Sequence, residues 1–389
     1  RFMPLLCPVC LEDKDGPLAL PGCRLHHTQL VKPPVVVGAP PVDDHDALKK
    51  KKNAPSHTTT QVPPFRTDDA TGLSYASPCC IPTSWTPLSL LKRRKVNYNT
   101  DIFTFALPEG NSKLMLPVCG CLLMRAPDCE HGGGDAVRPY TPVSSSNFEN
   151  GFEIMLKLYE EWGDKRHLHS YCPPGAVSNH VFGLKVGDSV DFKHIAANVK
   201  IPYYHTDGSP PGFKGVNRLT LIAVGVGIAP MIQVLHEVLD NNEDDTTEVV
   251  LLYGNRTVDD ILMADLLNRW ERDYASRFRV IHHIGSRYQN VLMHFDDCPK
   301  DCGKPCKRRK FPDPVNFDQI PVEKRERGWI SEETIAKHGF PADDPTHRVM
   351  VCGLPNVYRT ICGPRGTKDL APGSALANLG FTKEQVVKF

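Results

Sequence analysis

The chain has 389 residues, 40% of them hydrophobic and 23% charged, with 46 Lys and Arg against 45 Asp and Glu for a formal charge of +1. That length suggests two or three domains at ~100–200 residues each, and the near-neutral balance argues against nucleic acid as a partner, because phosphate binding requires a basic surplus. No stretch approaches the ~20 consecutive apolar residues of a membrane-crossing helix. The 14 cysteines, without a secretory signal, point to reduced thiols or metal ligands before a disulfide framework. The chain starts at Arg1 instead of Met, which fits removal of a targeting segment, mitochondrial import being the expected kind; a cut boundary, with a cytoplasmic or peripheral-membrane location, is the alternative.

The N-terminal 77 residues read as an extension. Cys7, Cys10, Cys23 and His26 have the C-x2-C then C-x2-H spacing of a structural zinc site. Residues 31–64 are rich in proline, charge and threonine, lack any period of 3.6 or 2, and read as a linker or extended arm. Residues 78–215 then carry short alternating runs: 101–107 (DIFTFAL), 152–159 (FEIMLKLY) and 188–192 (DSVDF). Short strands between turn residues, with one brief helical pattern among them, predict a small antiparallel β-barrel.

From 216 to 389 the rhythm changes. Residues 219–224 (LTLIAV) form a continuous apolar run, as in a strand buried on both faces. A glycine turn and a helix over 230–239 follow, then a strand at 248–253, a helix over 259–270 opened by Asp259 and Asp260, and further elements at 278–284, 331–338 and 348–352. Such strand–helix alternation predicts a Rossmann-like α/β domain with a parallel sheet. Residues 296–321, with Cys298, Cys302, Cys306 and a KRRK run at 307–310, read as an insertion.

Four signatures carry chemistry. Arg138-Pro139-Tyr140-Thr141-Pro142-Val143-Ser144 offers a guanidinium fork for phosphate, a ring with a hydroxyl, and local hydrogen-bonding groups. Pro174-Gly175-Ala176-Val177-Ser178 leads into a helix whose free N–H groups suit a pyrophosphate. Gly225-Val226-Gly227-Ile228-Ala229-Pro230 joins a buried strand to a helix, where glycines allow close approach of a dinucleotide. Cys352-Gly353-Leu354-Pro355 ends the last long strand, the edge at which ligands of such sheets gather.

In this order and spacing the four signatures resemble the NADH–cytochrome b5 reductase group of the ferredoxin–NADP reductase superfamily, over residues 86–389 and including the VVKF chain end. The resemblance implies an NADH-dependent flavin reductase. It would pass a hydride from NADH to FAD and then single electrons to a haem protein such as cytochrome b5. By that resemblance Arg138, Tyr140, Thr141 and Ser144 hold FAD, Lys157 and Tyr159 line the flavin site, and Gly175, Val177 and Ser178 bind its phosphates. Gly225, Gly227, Pro230 and Gly353 border the nicotinamide dinucleotide. Asp260 occupies the acidic position that disfavours the extra phosphate of NADP, with Arg256 nearby to soften that preference. Cys352 and Lys157 are the residues expected at the reacting centre.

The chain departs from the family pattern in several places. Cys119-Gly120-Cys121 stands where a Gly-Gln-His-like segment is usual, Ala176 replaces a phosphate-loop lysine, and Leu354-Pro355-Asn356 replaces a proline pair. Val224-Gly225-Val226-Gly227-Ile228-Ala229 stands where the family has GGTGIT, so two hydroxyls near the flavin are gone. Two readings follow: an active reductase, or a reductase-derived structural subunit of a larger assembly that keeps the fold and has weak or no activity. On either reading the extension and the 296–321 insertion are expected to be partner-binding surfaces, since neither has a period suited to packing on a sheet.

Overall fold

The computed structural model describes residues 66–68, 73–75, 79–161, 174–195, 203–204, 212–213, 215–285 and 316–389. The expected zinc ligands Cys7, Cys10, Cys23 and His26, the arm over 31–64 and most of the 296–321 insertion lie outside these residues. Among the described residues, no group of three or more His, Cys, Asp or Glu could hold a metal ion, and no helix is long and apolar enough to cross a membrane.

A short antiparallel ladder, β1 (Arg66–Asp68) with β2 (Leu73–Tyr75), precedes the first domain. That domain is built from β3 (Thr86–Lys95), β4 (Thr100–Phe105), β5 (Leu122–Ala126), β6 (Ala136–Tyr140), β7 (Phe152–Lys157) and β8 (Ser189–His194), with helix α1 (Ala176–Phe182) between the last two strands. The strands form one antiparallel sheet in the order β6-β5-β8-β3-β4-β7. Its two edges meet: just after β6, the Val143 amide donates to the Glu153 carbonyl of β7 at 2.8 Å. A barrel closed in this way leaves no unpaired edge there. Phe105, Phe152 and Phe192 fill it with edge-on ring pairs at 4.9 and 5.1 Å between centroids, the geometry that ring quadrupoles favour. Alpha1 packs on β5 and β6.

A second small ladder, β9 (Tyr203–Tyr204) with β10 (Gly212–Phe213), leads to the second domain. There β11 (Arg218–Val224), α2 (Ala229–Leu235), β12 (Glu248–Asn255), α3 (Ala264–Asp273), β13 (Phe278–Ile284), β14 (Arg325–Arg327), α4 (Glu332–His338), β15 (His347–Cys352), α5 (Pro355–Ile361), α6 (Ala375–Asn378) and β16 (Val386–Lys388) follow in chain order. The sheet is wholly parallel, in the order β14-β13-β12-β11-β15-β16. Both faces are covered, as the continuous apolar runs require. Leu219, Leu221, Leu251 and Val280 point to the α2–α3 side, and Ile222, Val250, Leu252 and Val351 to the α4–α5 side.

The two domains share a core. Ile102 of β4 and Met155 of β7 pack into the same cluster as Leu221, Met231 and Trp270 of the second domain, while Phe103, Phe105, Ile154 and Leu156 face the barrel interior. Hence β4 is buried at every position despite its alternating sequence.

The helix expected over 259–270 is corrected. Residues Val258–Asp260 form a 3-10 turn, Met263 adopts a left-handed backbone (φ 59°), and the helix proper begins at Ala264. Asp259 and Asp260 therefore do not sit on its first turn. The expected helix over 230–239 likewise divides: a 3-10 turn at Gly225–Ile228, α2, then a π turn at His236–Asp240.

Candidate active site

The flavin-side residues converge around β6 and α1. Arg138 projects from β6 and makes a bidentate ion pair with Glu130, with Nη–O distances of 2.8 and 3.1 Å, and also donates to the Val137 carbonyl. A guanidinium has five N–H donors, so this pairing leaves some for a ligand. Glu130 belongs to the β5–β6 loop, whose next residue, His131, contacts the Pro174 carbonyl at 2.7 Å. One loop thus brings Arg138 and the turn before α1 together.

That turn is built for an anion. Gly175 caps α1 with no side-chain hydrogen bond, and no acidic residue occupies the first turn. The first N–H groups of a helix have no partner within it, and here nothing negative competes for them. The Val177 side chain is buried in the barrel core, so only its backbone can serve a ligand. The Ser178 hydroxyl donates to the Gly175 carbonyl at 3.2 Å. A Cβ on Gly175 would lie 2.4 Å from Ser178 Oγ and 3.1 Å from Tyr159 Cβ, which packs the turn against the residue expected to line the flavin. Asn179 ties the two segments by donating to the Tyr159 carbonyl at 2.8 Å.

Tyr140 ends β6, and burial raises its hydroxyl above the ordinary tyrosine value, so it stays a neutral donor. Thr141 follows it, half-buried. The Ser144 hydroxyl accepts from the Glu153 amide at 3.1 Å and so helps close the barrel, keeping its own proton to donate. These groups supply one guanidinium, a helix N-terminus and neutral hydroxyls, a set that fits a dinucleotide with a pyrophosphate.

The nicotinamide-side residues meet where three elements touch. The Gly225–Ile228 turn packs on β7 of the barrel. Gly225 has φ +54°, a left-handed conformation open to glycine. At Gly227 a Cβ would lie 2.4 Å from the Cys352 carbonyl oxygen and 3.1 Å from Gly353 Cα, so the turn and the end of β15 are in backbone contact. Pro230 lies in the first turn of α2, buried. Cys352 is half-buried, and burial pushes its thiol up to about 11 against a weaker opposing bond from Tyr358. At neutral pH it is an uncharged, polarisable surface and not a nucleophile. Behind it, the Tyr358 hydroxyl donates to the carbonyl of Phe389, the last residue, whose amide in turn bonds Val351.

Asp260 has a different environment from the one expected. Its side chain is 5% exposed. Oδ1 accepts from Lys157 Nζ at 3.0 Å and from the Tyr98 hydroxyl at 2.8 Å. Oδ2 accepts from the Thr257 hydroxyl at 2.9 Å and lies 3.6 Å from Arg256 Nε. Burial works to raise this carboxyl, but the bonds from Tyr98, Lys157 and Thr257 outweigh it and hold it below the usual carboxylate value. The carboxylate expected to disfavour the extra phosphate of NADP is shared with the barrel. Lys157, expected at the reacting centre, provides the other half of that pair.

Some functional contacts were missed by sequence reasoning. Tyr98 and Glu130 carried no motif. Cys119, in the segment that departs from the family, has a left-handed backbone (φ 62°) and its thiol donates to the Pro230 carbonyl at 3.4 Å; it joins the barrel to the start of α2. Tyr253 donates to the Gly225 carbonyl and accepts from the Leu262 amide at 3.2 and 3.3 Å, fixing the glycine turn to the 258–262 segment.

Comparison with known proteins agrees with the two-domain architecture. Residues 87–200 match the oxidoreductase FAD-binding domain and residues 221–291 the oxidoreductase NAD-binding domain. The protein called NADH-cytochrome b5 reductase 2 in Yarrowia lipolytica is 32% identical over 307 residues, covering 78% of this chain and 86% of that protein. Its namesake in Saccharomyces cerevisiae is 30% identical, covering 78% and 83%. Among solved structures, the cytochrome b5 reductase domain of Ulva prolifera nitrate reductase aligns with a TM-score of 0.57 at 23% identity, over 79% of this chain and 98% of that one, a likeness of fold.

Proposed function

The chain belongs to the NADH-cytochrome b5 reductase family, and from that premise we propose that it oxidises NADH through bound FAD and delivers single electrons to a haem protein of the cytochrome b5 kind. The observation that carries this reading is the meeting of β7, the Gly225–Ile228 turn and the Cys352–Gly353 strand end at one place between the two domains. A site split in this way brings a flavin held by the barrel and a nicotinamide held by the sheet face to face.

The protein's own groups bind and orient. Arg138 and the first-turn amides of α1 would hold the FAD pyrophosphate by charge-assisted and dipolar contacts. Tyr140 and Thr141 would present neutral hydroxyls, Tyr159 a ring face. Gly225 and Gly227 would let the second dinucleotide approach the backbone, with the neutral Cys352 thiol beside its nicotinamide. Bound FAD supplies the conversion of a two-electron donor into two one-electron steps. No acid–base pair is required for the hydride step. Asp260, at the position that disfavours the extra phosphate of NADP, and the relatives named NADH-cytochrome b5 reductase 2 support NADH as the donor.

The test is an absorbance spectrum of the purified full chain before and after NADH under anaerobic conditions. We expect stoichiometric FAD whose visible bands bleach on adding NADH. A folded protein that is colourless and gains no flavin on reconstitution overturns the reading. Retained flavin that NADH leaves oxidised would instead favour the structural-subunit alternative.

A further inference from the structure

The turn that joins β3 to β4 reaches across to the nicotinamide domain in a way that the binding of FAD or NADH does not by itself require. Tyr98 is 59% exposed, yet its hydroxyl donates to a carboxylate 162 residues away in sequence and 4% exposed as a residue. Beside it, the Asn97 side-chain amide donates to the Asp259 carbonyl at 3.0 Å, and Arg256 Nη2 lies 3.5 Å from the Tyr98 oxygen. Lys157, on the neighbouring strand β7, reaches the same Asp260 oxygen as Tyr98. Three barrel side chains, Asn97, Tyr98 and Lys157, therefore hold Arg256, Asp259 and Asp260 in the segment that follows β12.

We propose that Tyr98 is a positioning residue for transfer between NADH and flavin: with Lys157 it latches Asp260 and so fixes the nicotinamide-binding domain against the flavin-binding barrel. The proposal rests on the reductase reading above. The shared apolar core sets the approximate relation of the domains, but hydrophobic contact is not directional. Hydrogen bonds to a buried carboxylate are directional, and they strengthen where water is excluded. The segment they hold is continuous with the glycine turn, because Tyr253 bonds both Gly225 and Leu262. A shift of residues 256–260 would thus be felt at the turn beside Cys352. Small displacements at a reacting centre cost rate steeply.

The test uses the full chain loaded with FAD, as wild type, Tyr98→Phe, Asp260→Asn and the double variant. Two quantities are measured: backbone hydrogen exchange over residues 257–262 without NADH, and the rate of flavin bleaching at saturating NADH. Tyr98→Phe should keep its flavin content and melting temperature, since it removes one hydroxyl from an exposed ring. Exchange at the Asp260 and Ile261 amides should rise, and bleaching should slow about ten-fold, the scale of one hydrogen bond to a charged acceptor. In the Asp260→Asn background, where the charge is gone and only a neutral amide oxygen accepts from Tyr98, the same change should cost less. Wild-type exchange and rate in Tyr98→Phe would overturn the proposal, as would altered exchange with an unaltered rate, or a full Tyr98→Phe effect on top of Asp260→Asn. If NADH fails to bleach even the wild type, the reductase reading falls while the exchange comparison still decides whether the latch exists.

Discussion

Gly227 and Gly175 show how the neighbour of a missing Cβ decides the cost of adding one. A methyl group on Gly227 would press on the Cys352 carbonyl oxygen at 2.4 Å and its carbon at 2.8 Å, and strand backbone does not yield. One on Gly175 would meet Ser178 Oγ at 2.4 Å, the end of a side chain that can rotate. Gly227→Ala should therefore destabilise the chain by about 1–3 kcal/mol and raise the KM for NADH. Gly175→Ala should change flavin affinity with a smaller loss of melting temperature. Thermal unfolding and NADH titration of both variants check the ranking; equal losses would contradict it. Arg138→Ala should lower flavin content by removing a charge-assisted phosphate contact, measured as the FAD-to-protein absorbance ratio. At this scale the local geometry was readable from the sequence wherever the candidate residues lie in one contiguous motif. RPYTPVS, GVGIAP and CGLP each fold as one local turn or strand end. The Tyr98–Asp260–Lys157 network was not readable, because its members are 162 and 103 residues apart and each alone is an ordinary polar residue.

Elements were legible where period and environment agreed. The continuous apolar runs of β11, β12 and β15 fit a sheet covered on both faces, and β13 was placed with its observed bounds. Beta4 misleads in a useful way. Its alternation suggests a strand half in water, but Thr100 and Thr104, on the same side as Ile102, are buried as well, because the second domain covers the barrel's outer side. Asp101, on the Phe103 side, is buried against Arg93 at 2.6 Å. The segment 258–263 defeats helix periodicity for a related reason. The barrel's grip on Asp260 and the left-handed Met263 hold it out of the helix that its charges suggest. Ile102, on the outer side of β4, should be as costly to truncate as an interior residue: Ile102→Ala is expected to lose about 2–5 kcal/mol. Both domains should then melt together in a single transition at lower temperature. A calorimetric scan in which the barrel alone shifts would show that the shared core does not couple them.

The whole molecule carries a pH dependence set by buried titratable groups. Burial pushes His282 and His283 down to about 4, in His282 with help from Lys324, in His283 against the opposing pull of Glu326. Both ring nitrogens of His283 lack a hydrogen-bond partner among the described residues. The folded state thus binds these protons less readily than the unfolded chain, whose histidines titrate near 6.5. Stability should be full above pH 6.5 and fall as pH drops from there toward 4. Carboxylates held low, Asp260 and Asp240, the latter at about 2, extend the loss to more acidic pH. Denaturant midpoints from pH 8 to 4 should show this slope, and His283→Leu should flatten it; an unchanged slope would mean that the ring finds water or a partner. The central claim concerns electrons crossing between the two domains, and one measurement reaches it directly. FAD-loaded full chain is mixed anaerobically with one equivalent of NADH and then with excess oxidised cytochrome b5, while flavin and haem absorbance are followed together. The account predicts that flavin bleaches first and that two haems are then reduced for each NADH consumed. Flavin that stays oxidised in the presence of NADH, or haem reduction that proceeds without any change in the flavin, would contradict it.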